Sequence, residues 1–191
     1  MKLDWSKIEK ELDFEESLYN ATTESITEFI SLNQTQETFY AFAFDYGIDH
    51  NHFGLCFNTI EHYNNLISNN GKVNSDEAFE LKFNTGNWKY QFFNSENFPT
   101  VKNIWNLIVG EKIAHLYKTF EEIELNESLS EETITKTIEY LSNDYENSLK
   151  NVIQRIKNNI NFTGLKKVDD FNIYYIEFYD GILDIRDRIM N

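Results

Sequence analysis

The segment Phe39-Tyr40-Ala41-Phe42-Ala43-Phe44-Asp45-Tyr46 constrains the fold of this chain more than any other. Read with a period of two, Tyr40, Phe42, Phe44 and Tyr46 form one face, and Phe39, Ala41 and Ala43 form the other. A strand that is apolar on both faces has to be covered on both, which places it in the middle of a sheet. The small Ala41 and Ala43 let a helix approach closely on their side.

The neighbouring segments supply the rest of a mixed architecture. Gly47–Asn51 reads as a hairpin connection, and His52–Asn58 returns as a second strand. Thr59 can cap a short helix bearing Ile60, Tyr63 and Ile67, which Asn69-Asn70-Gly71 ends. Phe79, Leu81 and Phe83 alternate as in a strand; Thr85-Gly86-Asn87 interrupts before Trp88, Tyr90 and Phe92-Phe93. Phe171–Tyr179 predicts another strand, stopped by Asp180-Gly181 ahead of a short terminal helix from Ile182.

Helical spacing governs three further stretches. Phe14, Leu18, Ala21, Ser25, Phe29 and Leu32 continue an N-terminal stripe begun by Trp5, Ile8 and Leu12, with a break near Asp13. After Pro99, the residues Val101 to Ile123 predict a long helix. Ser130 then caps a second one, along which Ile134, Ile138, Leu141, Tyr145, Leu149, Val152 and Ile156 recur at steps of three and four. The elements do not alternate as βαβα. The expectation is therefore one α+β domain over residues 1–191: a mainly antiparallel sheet of about four strands with flanking helices, two of them long and in the C-terminal half.

Charge bounds the partners. The chain carries 32 acidic and 17 basic residues in 191, a net charge of −15. Such a surface repels nucleic-acid backbones and anionic membranes and attracts basic proteins. Residues 1–70 hold 12 acids and 3 Lys, so the field is strongest in the N-terminal third. The lone Cys56 gives no disulfide framework and fits a reducing cytoplasm. Met1-Lys2-Leu3-Asp4-Trp5 lacks the apolar run of a signal peptide.

Few residues invite chemistry. His50 and His52 form an H-x-H pair that, on a strand, shares one face as metal ligands often do; Asp45, Asp49 or His62 would have to complete the set. Asp76 with Glu80-Leu81-Lys82 matches the E-x-K core of a metal-dependent nuclease, although the basic surface a nuclease needs is missing. Cys56 has no basic neighbour in sequence to activate it. Phosphate loops, nucleophile elbows and H-E-x-x-H helices do not occur, so no catalytic residue and no cofactor is assigned.

The strand Phe39–Phe44, the segment Gly54–Thr59 and the run Gly86-Asn87-Trp88-Lys89-Tyr90 together resemble an uncharacterised bacterial domain-of-unknown-function family, over residues 10–185. The resemblance implies a cytoplasmic α+β protein, some of whose relatives sit beside toxin genes, and carries over no catalytic residue. Combined with the charge, it gives the functional expectation: an immunity-type inhibitor that occludes a basic toxin domain. The acids expected to meet that partner are Glu11, Glu15, Glu16, Glu24, Glu28, Asp45, Asp49, Glu121, Glu122 and Glu124. Tyr46, Tyr63, Trp88 and Tyr90 are candidate aromatic anchors. The alternatives are a metal-dependent hydrolase or nuclease, and an adaptor for another basic protein.

Overall fold

A computed structural model describes residues 13–33, 37–47, 52–93, 130–160, 162–177 and 180–190, together with residues 6, 9–10, 118–119, 121–123 and 125. Its elements are α1 (Phe14–Leu32), β1 (Phe39–Gly47), β2 (His52–Thr59), α2 (Ile60–Asn70), α3 (Ser75–Phe83), a single 3₁₀ turn (Thr85–Asn87), β3 (Tyr90–Phe93), α4 (Glu131–Asn159), β4 (Lys167–Glu177) and α5 (Ile182–Met190).

The strands form one sheet in the order β3-β2-β1-β4. β1 pairs antiparallel with β2 and parallel with β4, and β2 pairs antiparallel with β3. The α+β expectation is met, with two antiparallel pairings and one parallel, so the sheet is mixed. The parallel edge follows from connectivity: a strand that returns in the same direction needs a long crossover, and α4 lies between β3 and β4. The expected long helix over Val101–Ile123 falls mostly outside the described residues.

β1 is central, as its two apolar faces require, and Phe39 through Phe44 are all buried. One face packs against α1 and α4, where Phe42, Phe44, Leu55 and Phe57 meet Phe14, Leu18, Phe29, Tyr145, Leu149, Val152 and Ile156. The other face packs Ala41, Ala43 and Cys56 against Phe83, Trp88 and Ile185. A helical layer therefore covers each side of the sheet. Phe29 is the hub of the first: its ring stacks on Phe57 at 3.8 Å between centroids and meets Phe39, Tyr90 and Phe93 edge-on.

Three expectations are corrected. Phe39 and Tyr40 exchange faces: Phe39 points into the α1–α4 core and Tyr40 into the opposite one. The pairing steps from Phe39↔Thr59 to Ala41↔Asn58, which leaves Tyr40 as the extra residue of a bulge; strict alternation cannot foresee that insertion. Phe79–Phe83 is helix, not strand. Asn74 forms a capping box with Glu77, which starts α3, and the rings of Phe79 and Phe83 then meet one turn apart, tilted, at 4.8 Å between centroids. Leu32, counted in the buried stripe of α1, is 52% exposed.

Caps mark the other helices. Asp13, at φ 49, separates α1 from what precedes it, in line with the expected break. Thr59 caps α2 and Ser130 caps α4 through their side chains.

Candidate functional site

The expected partner-binding acids divide by environment. Glu15, Glu16, Glu24 and Glu28 lie on α1, a helix with no Lys or Arg. Glu15 accepts a hydrogen bond from Asn151 Nδ2 at 2.9 Å, and Glu16 pairs with Arg155 at 2.8 Å, so both are tied to α4. The carboxylates of Glu24 and Glu28 make no hydrogen bond or ion pair with any described residue; Glu24 is exposed and Glu28 half-buried. Glu121 and Glu122 are exposed, and Ile123 beside them is buried in the α1–α4 core. The burial of Ile123 there puts this pair on the α1–α4 side of the sheet. Glu11, Asp49 and Glu124 lie outside the described residues.

Asp45 does not belong to that surface. It is 8% exposed and accepts a hydrogen bond from Thr85 Oγ1 at 2.5 Å. It follows Ala41 and Ala43 on the opposite face of β1, where the 3₁₀ turn reaches the sheet. Burial, and secondarily the Asp45 carboxylate, push the Cys56 thiol well above its ordinary range, so this cysteine is held protonated.

The candidate anchors are mainly structural. Tyr46 and Trp88 are buried. Tyr63 is half-buried with its ring beside Tyr40. The hydroxyl of Tyr90 donates to Glu37, which also accepts from Lys89 Nζ at 2.6 Å.

The chemical candidates separate. His50 lies outside the described residues, and of His52 only the backbone is described, in β2. His62 places Nε2 at 3.1 Å from the Asn87 carbonyl oxygen. Among the described residues, no three His, Cys, Asp or Glu side chains converge as a metal site. Asp76, Glu80 and Lys82 sit on α3 rather than on a strand, so residues 80 and 82 point to different sides of the helix. Asp76 is paired with Arg186 at 2.9 Å, and the Lys82 ammonium lies over the rings of Phe83 and Tyr40. The nuclease geometry is not assembled.

Sequence reasoning missed a buried polar lattice that fastens α3 to the sheet. The Tyr40 hydroxyl and the Trp88 indole both donate to the Lys82 carbonyl, the latter at 3.0 Å. Tyr174 donates to the Phe83 carbonyl at 2.5 Å, and Asn58 Nδ2 donates to the Tyr40 hydroxyl at 2.9 Å. Carbonyls in the last turn of a helix lack intrahelical partners, and these side chains supply them. Tyr40, Trp88 and Tyr174 thus form a helix-end clamp. The only sequence signal was the misread strand Phe79–Phe83, whose helix the clamp terminates.

Among the described residues, no helix is long and apolar enough to cross a membrane. No curated protein and no solved structure matches the chain. A family model does, across β1, β2, β3 and the surrounding helices: over residues 18–141 the chain belongs to the family described as a domain of unknown function, DUF4303.

Proposed function

We propose that this chain is a non-catalytic binding protein whose acidic helical layer docks on a basic protein, as an immunity-type inhibitor does when it covers a basic toxin domain. The observation that carries this reading is the row Glu24, Glu28 and Leu32, spaced four residues apart along α1. Its two carboxylates have no partner among the described residues, and Leu32 is a 52% exposed apolar group one turn beyond them. Such a row offers steering charge beside a packing anchor. With a net charge of −15 behind it, association with a cationic surface is accelerated at low salt.

The same layer carries Glu121 and Glu122, which extend the field without touching the core. The reading places the protein in the cytoplasm, where Cys56 stays reduced. An adaptor for a different basic protein would use the same surface, and the identity of the captured partner separates the two. The test is retention of a basic protein by the wild-type chain and by a variant with Glu24→Lys, Glu28→Lys, Glu121→Lys and Glu122→Lys. The reading expects the variant to lose at least tenfold in association rate at low salt, and an unchanged rate would refute it.

A further inference from the structure

β4 lies at the end of the sheet order and, among the described residues, pairs only with β1. A groove runs along its outer edge. One part, of about 380 Å³, is lined by Ile173, Tyr174 and Tyr175 together with residues of α4 and α5. A second part, of about 250 Å³, is lined by Phe171 through Tyr174 and shares Lys157, Ile173 and Tyr174 with the first. Successive strand residues point to opposite faces of a sheet. A cavity lined by consecutive residues must therefore view the strand from its side, so the floor of this groove is the strand edge itself. α4 forms one wall and α5 the other.

The edge of a strand presents backbone N–H and C=O groups that can pair with an added strand. The walls give the occupant its charge. Lys150 and Lys157 come from α4 and Arg188 from α5, against Asp187 as the one acid in either lining. The Lys157 ammonium makes no hydrogen bond or ion pair with any described residue. Lys150 is 3.3 Å from Glu146, and Arg188 is held by Asp180 with its guanidinium 4.4 Å from the Tyr175 ring centre. The lining itself thus carries three cations against one acid on a chain of net charge −15, with Glu146 and Asp180 offsetting two of them from outside it.

We propose that this groove binds an extended acidic segment of a partner protein, which adds to the sheet as a strand beside β4. The five residues Phe171–Tyr175 span about 17 Å, enough for a peptide of five to six residues. A second copy of this chain is disfavoured as the occupant, because two-fold pairing of β4 near Ile173 would bring Lys157 toward its own counterpart. The proposal uses residues and a charge sign different from those of the α1 surface, so either can fail alone.

The probe is a fluorescein-labelled heptapeptide of alternating glutamate and valine. Its controls are the lysine-for-glutamate counterpart and a version N-methylated at alternate amides in both registers. Anisotropy should show saturable binding of the acidic peptide, at least tenfold tighter than either control. Lys150→Glu with Lys157→Glu should abolish it, and Lys157→Ala alone should weaken it while leaving the thermal midpoint unchanged. Amide exchange at alternate residues of β4 should slow at least tenfold on saturation. No saturation up to millimolar peptide, equal binding of the N-methylated form, or unchanged β4 exchange would each overturn the proposal. So would concentration-dependent self-association that protects β4 without peptide.

Discussion

Tyr40 and Trp88 donate to the same acceptor, the carbonyl oxygen of Lys82 in the last turn of α3. The bulge in β1 turns Tyr40 toward that carbonyl, and the 3₁₀ turn Thr85–Asn87 delivers the indole from the other side. With Tyr174 on the Phe83 carbonyl, three strands or strand-flanking segments close one helix end. The clamp explains why aromatic residues with polar tips occupy these positions, where Phe would fill the space equally well.

Removing the Tyr40 hydroxyl tests the clamp. Tyr40→Phe leaves the buried Asn58 amide without the acceptor it holds at 2.9 Å and withdraws one donor from Lys82. The expected loss is about 1–3 kcal/mol, measured as a shift of the urea midpoint at constant slope.

Thr22 gives a change of opposite sign. Its hydroxyl is buried and finds no hydrogen-bond partner among the described residues. Thr22→Val keeps the shape and removes the orphaned group, so stability should rise by about 1 kcal/mol. A lower urea midpoint would show that the hydroxyl is engaged.

Gly54 is required by a close approach. A β-carbon there would collide with the Phe92 ring and lie 3.2 Å from the Phe92 α-carbon. Phe92 itself sits at φ 49, so its backbone has little freedom to retreat. Gly54→Ala should cost about 1–3 kcal/mol, read from the thermal midpoint.

Alkaline pH should unfold the chain. Burial raises the Cys56 thiol above its ordinary value of 9.0, and burial likewise raises the phenols of Tyr40, Tyr46, Tyr145 and Tyr174 above 10.0. For an acid whose folded pKa is raised, the stabilisation is present below the unfolded pKa and fades as pH climbs past it. Stability should fall from about pH 9 upward, and native Cys56 should resist thiol reagents at pH 8 until urea opens the core.

Much of the fold was legible in sequence because local signals agreed with tertiary ones. Two apolar faces put β1 at the centre, while Thr59 and Ser130 marked helix starts. The failures have local causes. The Tyr40 bulge inverted two residues that alternation assigned, and in α3 the capping box of Asn74 with Glu77 outweighed a three-residue alternation. The acidic surface was legible only as a charge total. Asp45 and Glu24 look alike in sequence, yet one is buried against Thr85 and the other faces solvent. The β4 groove left no sequence signal, because it depends on which strand the fold leaves at the edge.

The most direct test of the binding account measures association with a captured basic protein as a function of salt, for wild type and for the fourfold lysine variant at Glu24, Glu28, Glu121 and Glu122. The account predicts one stoichiometric basic partner, an association rate that falls steeply with ionic strength, and loss of that dependence together with most of the rate in the variant. Equal rates and equal salt dependence for the two proteins would contradict it.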